Sequence, residues 1–130
     1  PYQKDELARR LRLLLEASRP TVLVVEDEPM VRMAAVDMIR DIGFTVIEAG
    51  DAEASLKILE STAKIDILFT DVGLPGMRGP ELAERAVKLR PSIRVIFASG
   101  YGEVEQGAPK GSVHLSKPYD QGDLEKVMKV

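Results

Sequence analysis

The stretch ILFTDVGLPGMRGPELA, residues 67–83, decides how the rest of the chain is read. An apolar run from Ile65 to Thr70 reaches a carboxylate, Asp71, and then breaks into Gly73, Pro75, Gly76 and Gly79. Residues 79–89 then resume with helical spacing and stop before Pro91. Asp is common where a turn begins. Its place between an apolar strand and a glycine-rich loop also suits a carboxylate held at the mouth of a sheet.

The same strand–loop–helix unit recurs on both sides. Thr21–Val25 is a continuous β-branched run, the pattern of a strand buried on both faces. Residues 29–42 read as a helix that opens on Pro29 and closes at Gly43. Strands are expected at 45–49, 65–70, 94–98 and 113–115, and helices at 51–61 and 123–130. Ala52, Leu56 and Leu59 mark the buried side of the helix over 51–61. Between Ser99 and Lys117 the glycines and Pro109 leave room for one helical turn at most, near Glu103 to Gln106. Five alternations of strand and helix predict an α/β fold, a doubly wound parallel sheet with helices on both faces. In such sheets the site lies at the carboxyl ends of the strands.

Composition sets the outer limits. The chain has 130 residues, 45% of them apolar, which suits one domain with a real core. Its net charge of −3 and its scattered basic residues give no nucleic-acid footprint. Without cysteine there is neither a disulfide nor a thiolate metal site. No apolar run approaches the roughly 18 residues of a membrane span, and no secretory signal is visible. A soluble, cytoplasmic protein or fragment is expected, and the absence of an initial Met points to a fragment or processed chain.

The predicted strand ends collect chemistry. The first ends in Glu26-Asp27, the third in Asp71, the fourth in Ser99-Gly100, and the fifth leads into Ser116-Lys117-Pro118. Clustered carboxylates call for a hard cation, and an all-oxygen shell suits Mg²⁺. A divalent ion with a lysine would neutralise a transferring phosphoryl group. A carboxylate can itself be the nucleophile, giving an aspartyl phosphate. Asp71 is the best candidate, since the glycines behind it leave space. The Gly73 carbonyl could complete a metal shell, and the Ser99 hydroxyl could bond a phosphoryl oxygen.

VLVVEDEPMVR (22–32), ILFTDVGLPGMRGPELA, VIFASGYG (95–102) and LSKPYD (115–120) resemble the motifs of the response-regulator receiver domain of two-component signalling. The resemblance covers about residues 20–130. It implies a flavodoxin-like sheet of strand order 2-1-3-4-5. Asp71 would be the phosphoacceptor, charged by a histidine kinase or a histidine phosphotransfer protein. Glu26 and Asp27 would hold Mg²⁺, Asp27 directly and Glu26 through water, with Asp71 and the Gly73 carbonyl completing the set. Ser99 would be the switch hydroxyl, and Lys117, ahead of a cis bond to Pro118, the phosphoryl contact. Such a domain catalyses its own phosphorylation and dephosphorylation without being a conventional turnover enzyme. The alternative is a pseudo-receiver that only binds protein. A phosphohydrolase of the haloacid dehalogenase type would need a second Asp where this chain has Gly73.

Three features depart from the family pattern. His114, the only histidine, stands three residues before Lys117, where receivers often carry an aromatic switch residue. It could act there, could add pH sensitivity, or could be an ordinary strand residue. The segment before Lys117 is about one helical turn short, predicting a short or irregular fourth helix and an altered output face. Residues 4–18 form an extra amphipathic helix with Leu7, Leu11, Leu14 and Leu15 on one face. PYQKDEL (1–7) parallels PYDQGDL (118–124), so residues 1–19 read as the end of a preceding receiver or as a linker, and 20–130 as the receiver itself. A tandem receiver or the receiver of a hybrid kinase is favoured. A homodimer through this helix or the altered fourth-helix face is a further expectation.

Overall fold

Parallel strands pair Thr21–Val25 (β1) with both Thr45–Ala49 (β2) and Ile67–Asp71 (β3). β3 pairs with Arg94–Ser99 (β4), and β4 with Val113–Ser116 (β5). The computed structural model, which describes residues 3–100 and 107–128, thus holds a five-stranded sheet of order β2-β1-β3-β4-β5, as the resemblance implied. Helices Lys4–Ser18 (α1), Pro29–Ile42 (α2), Ala52–Glu60 (α3), Gly79–Leu89 (α4) and Gln121–Met128 (α5) complete it.

Alternation along the strands builds two cores. Leu23, Val25, Leu68, Val95 and Phe97 face α3 and α4, where they meet Leu59, Leu82 and Ala86. Val22, Val24, Phe69 and Ile96 point the other way, against Val36 and Ile39 of α2 and Leu124 and Met128 of α5. Side chains on a strand point to opposite faces in turn, so a continuous apolar run is what a sheet covered on both sides requires. Each fully buried Val, Leu or Ile contributes about 1.5–3 kcal/mol relative to exposure.

Local signals place the helix ends. Gly43 closes α2 at φ +116°, its N–H reaching the Arg40 and Ile39 carbonyls. This left-handed cap suits glycine. Asp51 is the N-cap of α3 and accepts from the Ala54 N–H at 2.7 Å. α5 starts at Gln121, two residues before the expected Asp123. Asp120 Oδ1 accepts from the Asp123 N–H at 2.8 Å, and Asp123 Oδ2 accepts from the Asp120 N–H at 3.0 Å. This reciprocal cap starts the helix before Gly122. β3 begins at Ile67, not Ile65, because Asp66 instead ties to Thr21 through both its backbone and its carboxylate.

Between β4 and β5, residues 107–112 form turns, with Gly107 at φ +85° and Gly111 at φ +87°. The expected helical turn at 103–106 lies outside the described residues. At the other end of the chain, the α1 leucines remain exposed. The last helix, by contrast, buries Leu124 and Met128 fully.

Candidate functional site

The register brings the strand ends to one edge. Val25 lies opposite both Ala49 and Thr70, Asp71 opposite Ala98, and Ser99 opposite Ser116. Glu26 and Asp27 leave β1 at that edge, Asp71 ends β3, and Lys117 follows β5. Glu26 and Asp71 are buried and Asp27 is exposed. One carboxylate oxygen from each of the three lies within 4.8 Å of the others. Lys117 Nζ stands 3.1 Å from Asp71 Oδ1 and 3.8 Å from Glu26 Oε2.

The backbone holds these groups in place. The Val72 N–H donates to the Ala98 carbonyl, and the Lys117 N–H to the Ser99 carbonyl at 2.8 Å. The second bond ties the lysine to the end of β4. The Lys117–Pro118 bond is cis, as the resemblance implied. Gly79 lets α4 begin directly against β3: a Cβ there would overlap the Asp71 carbonyl oxygen. Its N–H donates to the Val72 carbonyl at 2.9 Å.

Burial raises the Glu26 carboxyl above its ordinary value of 4.5, and the Asp71 charge raises it further. Lys117 and the Glu28 N–H, 3.3 Å from Glu26 Oε1, pull it back only in part. Three carboxylates converge here, with Lys117 in reach of two of them. The donors are hard oxygens that span less than 5 Å, and Mg²⁺ takes such oxygens at about 2.0–2.1 Å in an octahedral shell. The residues fit that ion.

Ser99 is half-buried at the same edge. Gly73 is exposed in the loop two residues beyond Asp71. His114 is exposed on β5, its ring stacked on Phe97 with centroids 5.4 Å apart and planes at 16°. Sequence reasoning missed two side chains at the site. Arg32 donates to the Glu26 carbonyl at 2.8 Å and to Glu48 Oε1 at 3.1 Å, pinning the turn that carries Glu26. Its spacing, six residues after Glu26 on the first turn of α2, was the available signal. Tyr119 meets Phe69 edge-on at 5.9 Å. Burial raises its hydroxyl pKa; Lys117 opposes this, while Glu26 and Asp71 add to it, which places the phenol in the field of the cluster.

Known proteins share this fold. The chain is 44% identical over 84 residues to the sensor kinase CckA of Brucella abortus, covering 64% of this chain but 9% of that protein's length. It is 29% identical over 107 residues to the response regulator receiver protein CpdR of the same organism, covering 79% of this chain and 88% of that one. The crystal structure of the receiver domain from the hybrid histidine kinase CckA superposes with a TM-score of 0.72 at 38% identity, over 82% of this chain and 94% of that one. Among the described residues no helix is long and apolar enough to cross a membrane. Residues 22–129 match the family model of the response regulator receiver domain, and the chain belongs to that family.

Proposed function

We propose that Asp71 accepts a phosphoryl group from a phosphohistidine donor, and that this modification switches a protein-binding surface. The observation that carries the reading is Lys117 Nζ at 3.1 Å from Asp71 Oδ1, inside a cluster of three carboxylates at the strand ends. An Asp71 carboxylate oxygen forms the new P–O bond. The P–N bond to the donor imidazole breaks, its electron pair stays on the ring nitrogen, and that nitrogen takes a proton from water. Asp27, Asp71, Glu26 and the Gly73 carbonyl would hold Mg²⁺, which when bound supplies charge neutralisation for the transferring group.

Lys117 does the rest of the electrostatic work. Its ammonium already faces the accepting oxygen and offsets the nearly two negative charges that the phosphate adds. Ser99, tied by its carbonyl to the Lys117 N–H, offers a hydroxyl to the phosphoryl oxygens and reports its arrival to β4 and β5. His114, stacked on Phe97, would follow that movement. Partners under this reading are a histidine kinase or a phosphotransfer protein as donor, in the cytoplasm, with the chain as one receiver of a hybrid kinase or tandem array. A second copy of the chain is a further partner.

Beryllofluoride, which mimics a phosphoryl group on a carboxylate, tests the reading. With Mg²⁺ it should shift the amide resonances around Asp71, Ser99 and Lys117, and Asp71→Asn should abolish the shifts. A wild-type spectrum unchanged by beryllofluoride would leave the chain a protein-binding module without phosphoacceptor chemistry.

A further inference from the structure

Leu7, Leu11, Leu13, Leu14 and Leu15 of α1 are 48% to 68% exposed. Four of them, Leu7, Leu11, Leu14 and Leu15, share one stripe at helical spacing. At about 3.6 residues per turn Arg10 and Arg12 border that stripe on its two sides, and Asp5 and Glu6 fall behind it. Arg10 meets Glu6 at 3.4 Å in an exposed pair, the kind worth little and readily exchanged. A 15-residue helix on its own is marginal in water.

The same molecule carries a surface of matching character. An apolar cleft of about 530 Å³ is lined by Met30, Val31, Ala34, Met38, Pro118 and Tyr119 and reaches Lys117. Met30 and Met33 are 78% and 58% exposed. The outer face of α2 continues into Asp37 and Asp41, and Asp120 stands beyond Tyr119; all three are exposed. The cleft is thus apolar within, with Lys117 at one end and exposed acidic residues on the elements that flank it, a surface suited to a leucine stripe with arginine borders. Methionine side chains adapt readily to an incoming apolar surface. The lengths also match: α1 has 15 residues and α2 has 14, about 22 and 21 Å at 1.5 Å per residue.

We propose that the leucine stripe of α1 from a second copy of this chain docks in the cleft between α2 and Tyr119. The contact is reciprocal, so that two chains form a two-fold dimer. The helix joins β1 through Arg19 and Pro20 alone, and its stripe lies uncovered by its own domain. The occupant is therefore the stripe of another copy. Because the cleft reaches Lys117, the docked helix lies beside the carboxylate cluster. The dimer itself does not depend on Asp71 accepting phosphate.

Light scattering on the full chain tests this. The expected mass is twice 14.3 kDa, falling toward one chain on dilution. Leu11→Glu and Ala34→Glu should each give a monomer whose sheet domain stays folded and melts with the wild type at concentrations where the wild type has itself dissociated, since both side chains are exposed. The chain has no cysteine, so a mixture of Leu11→Cys and Ala34→Cys chains should form a disulfide joining the two different variants. A wild-type monomer at every concentration would overturn the proposal. So would a dimer that survives Ala34→Glu while Leu11→Cys chains link to each other, because the helices would then pair among themselves. A monomer whose α1 binds phosphatidylglycerol vesicles would assign the stripe to a lipid surface instead.

Discussion

Lys117 and Asp71 face each other across the end of the sheet, Nζ to Oδ1 at 3.1 Å, although 45 residues separate them in the chain. Glu26 Oε2 is 3.8 Å from the same ammonium. One cation thus serves two buried carboxylates. Replacing it with a neutral side chain of similar length separates two effects. Lys117→Met should bind Mg²⁺ more tightly than the wild type, because a competing positive charge has gone. Its rate of phosphoryl acceptance should fall by about 100-fold or more, the scale on which a preorganised charge acts on a transition state. Metal titration and phosphorylation kinetics on the same sample check both.

Glu26 gives a pH prediction. Its folded pKa is raised, first by burial and then by Asp71, so the fold favours the protonated form. The stability this provides is fully present below the ordinary glutamate value and is lost as pH rises through the raised one. In metal-free buffer, Glu26→Gln should therefore melt above the wild type near neutral pH, and the difference should shrink toward about pH 4. The same proton competes with a cation, so wild-type Mg²⁺ affinity should weaken as pH falls through that window. Thermal melts with and without chelator give both comparisons.

Packing makes a third contrast. Leu82 is fully buried between α4 and the sheet, whereas Leu14 of α1 is 68% exposed. Leu82→Ala should lower stability by about 2–5 kcal/mol through lost burial and the cavity left behind. Leu14→Ala in dilute monomer should change it by less than about 0.5 kcal/mol. Chemical denaturation of the two variants distinguishes them.

The fold was legible where local pattern and long-range packing agree. Thr21–Val25 reads as a buried strand because both faces are apolar, and it is buried on both faces. Glu26, Asp71 and Lys117 were legible as a cluster because each ends or follows a strand in a parallel sheet. What escaped is chemistry that a distant partner creates. Arg32 looks like an ordinary helix arginine until its guanidinium meets the Glu26 carbonyl and Glu48. Gly79 looks like a turn residue until the Asp71 carbonyl is placed where its Cβ would be. The start of α5 was misplaced because Gly122 argues against helix, while the mutual cap of Asp120 and Asp123 is visible only in three dimensions.

The central claim is that Asp71 is the phosphoacceptor. Intact mass after incubation with acetyl phosphate and Mg²⁺, run beside Asp71→Ala and a chelated wild-type sample, tests it most directly. The account predicts one added phosphate on the wild type and none on either control. Phosphate that persists on Asp71→Ala, or a wild-type chain that gains none, would contradict it.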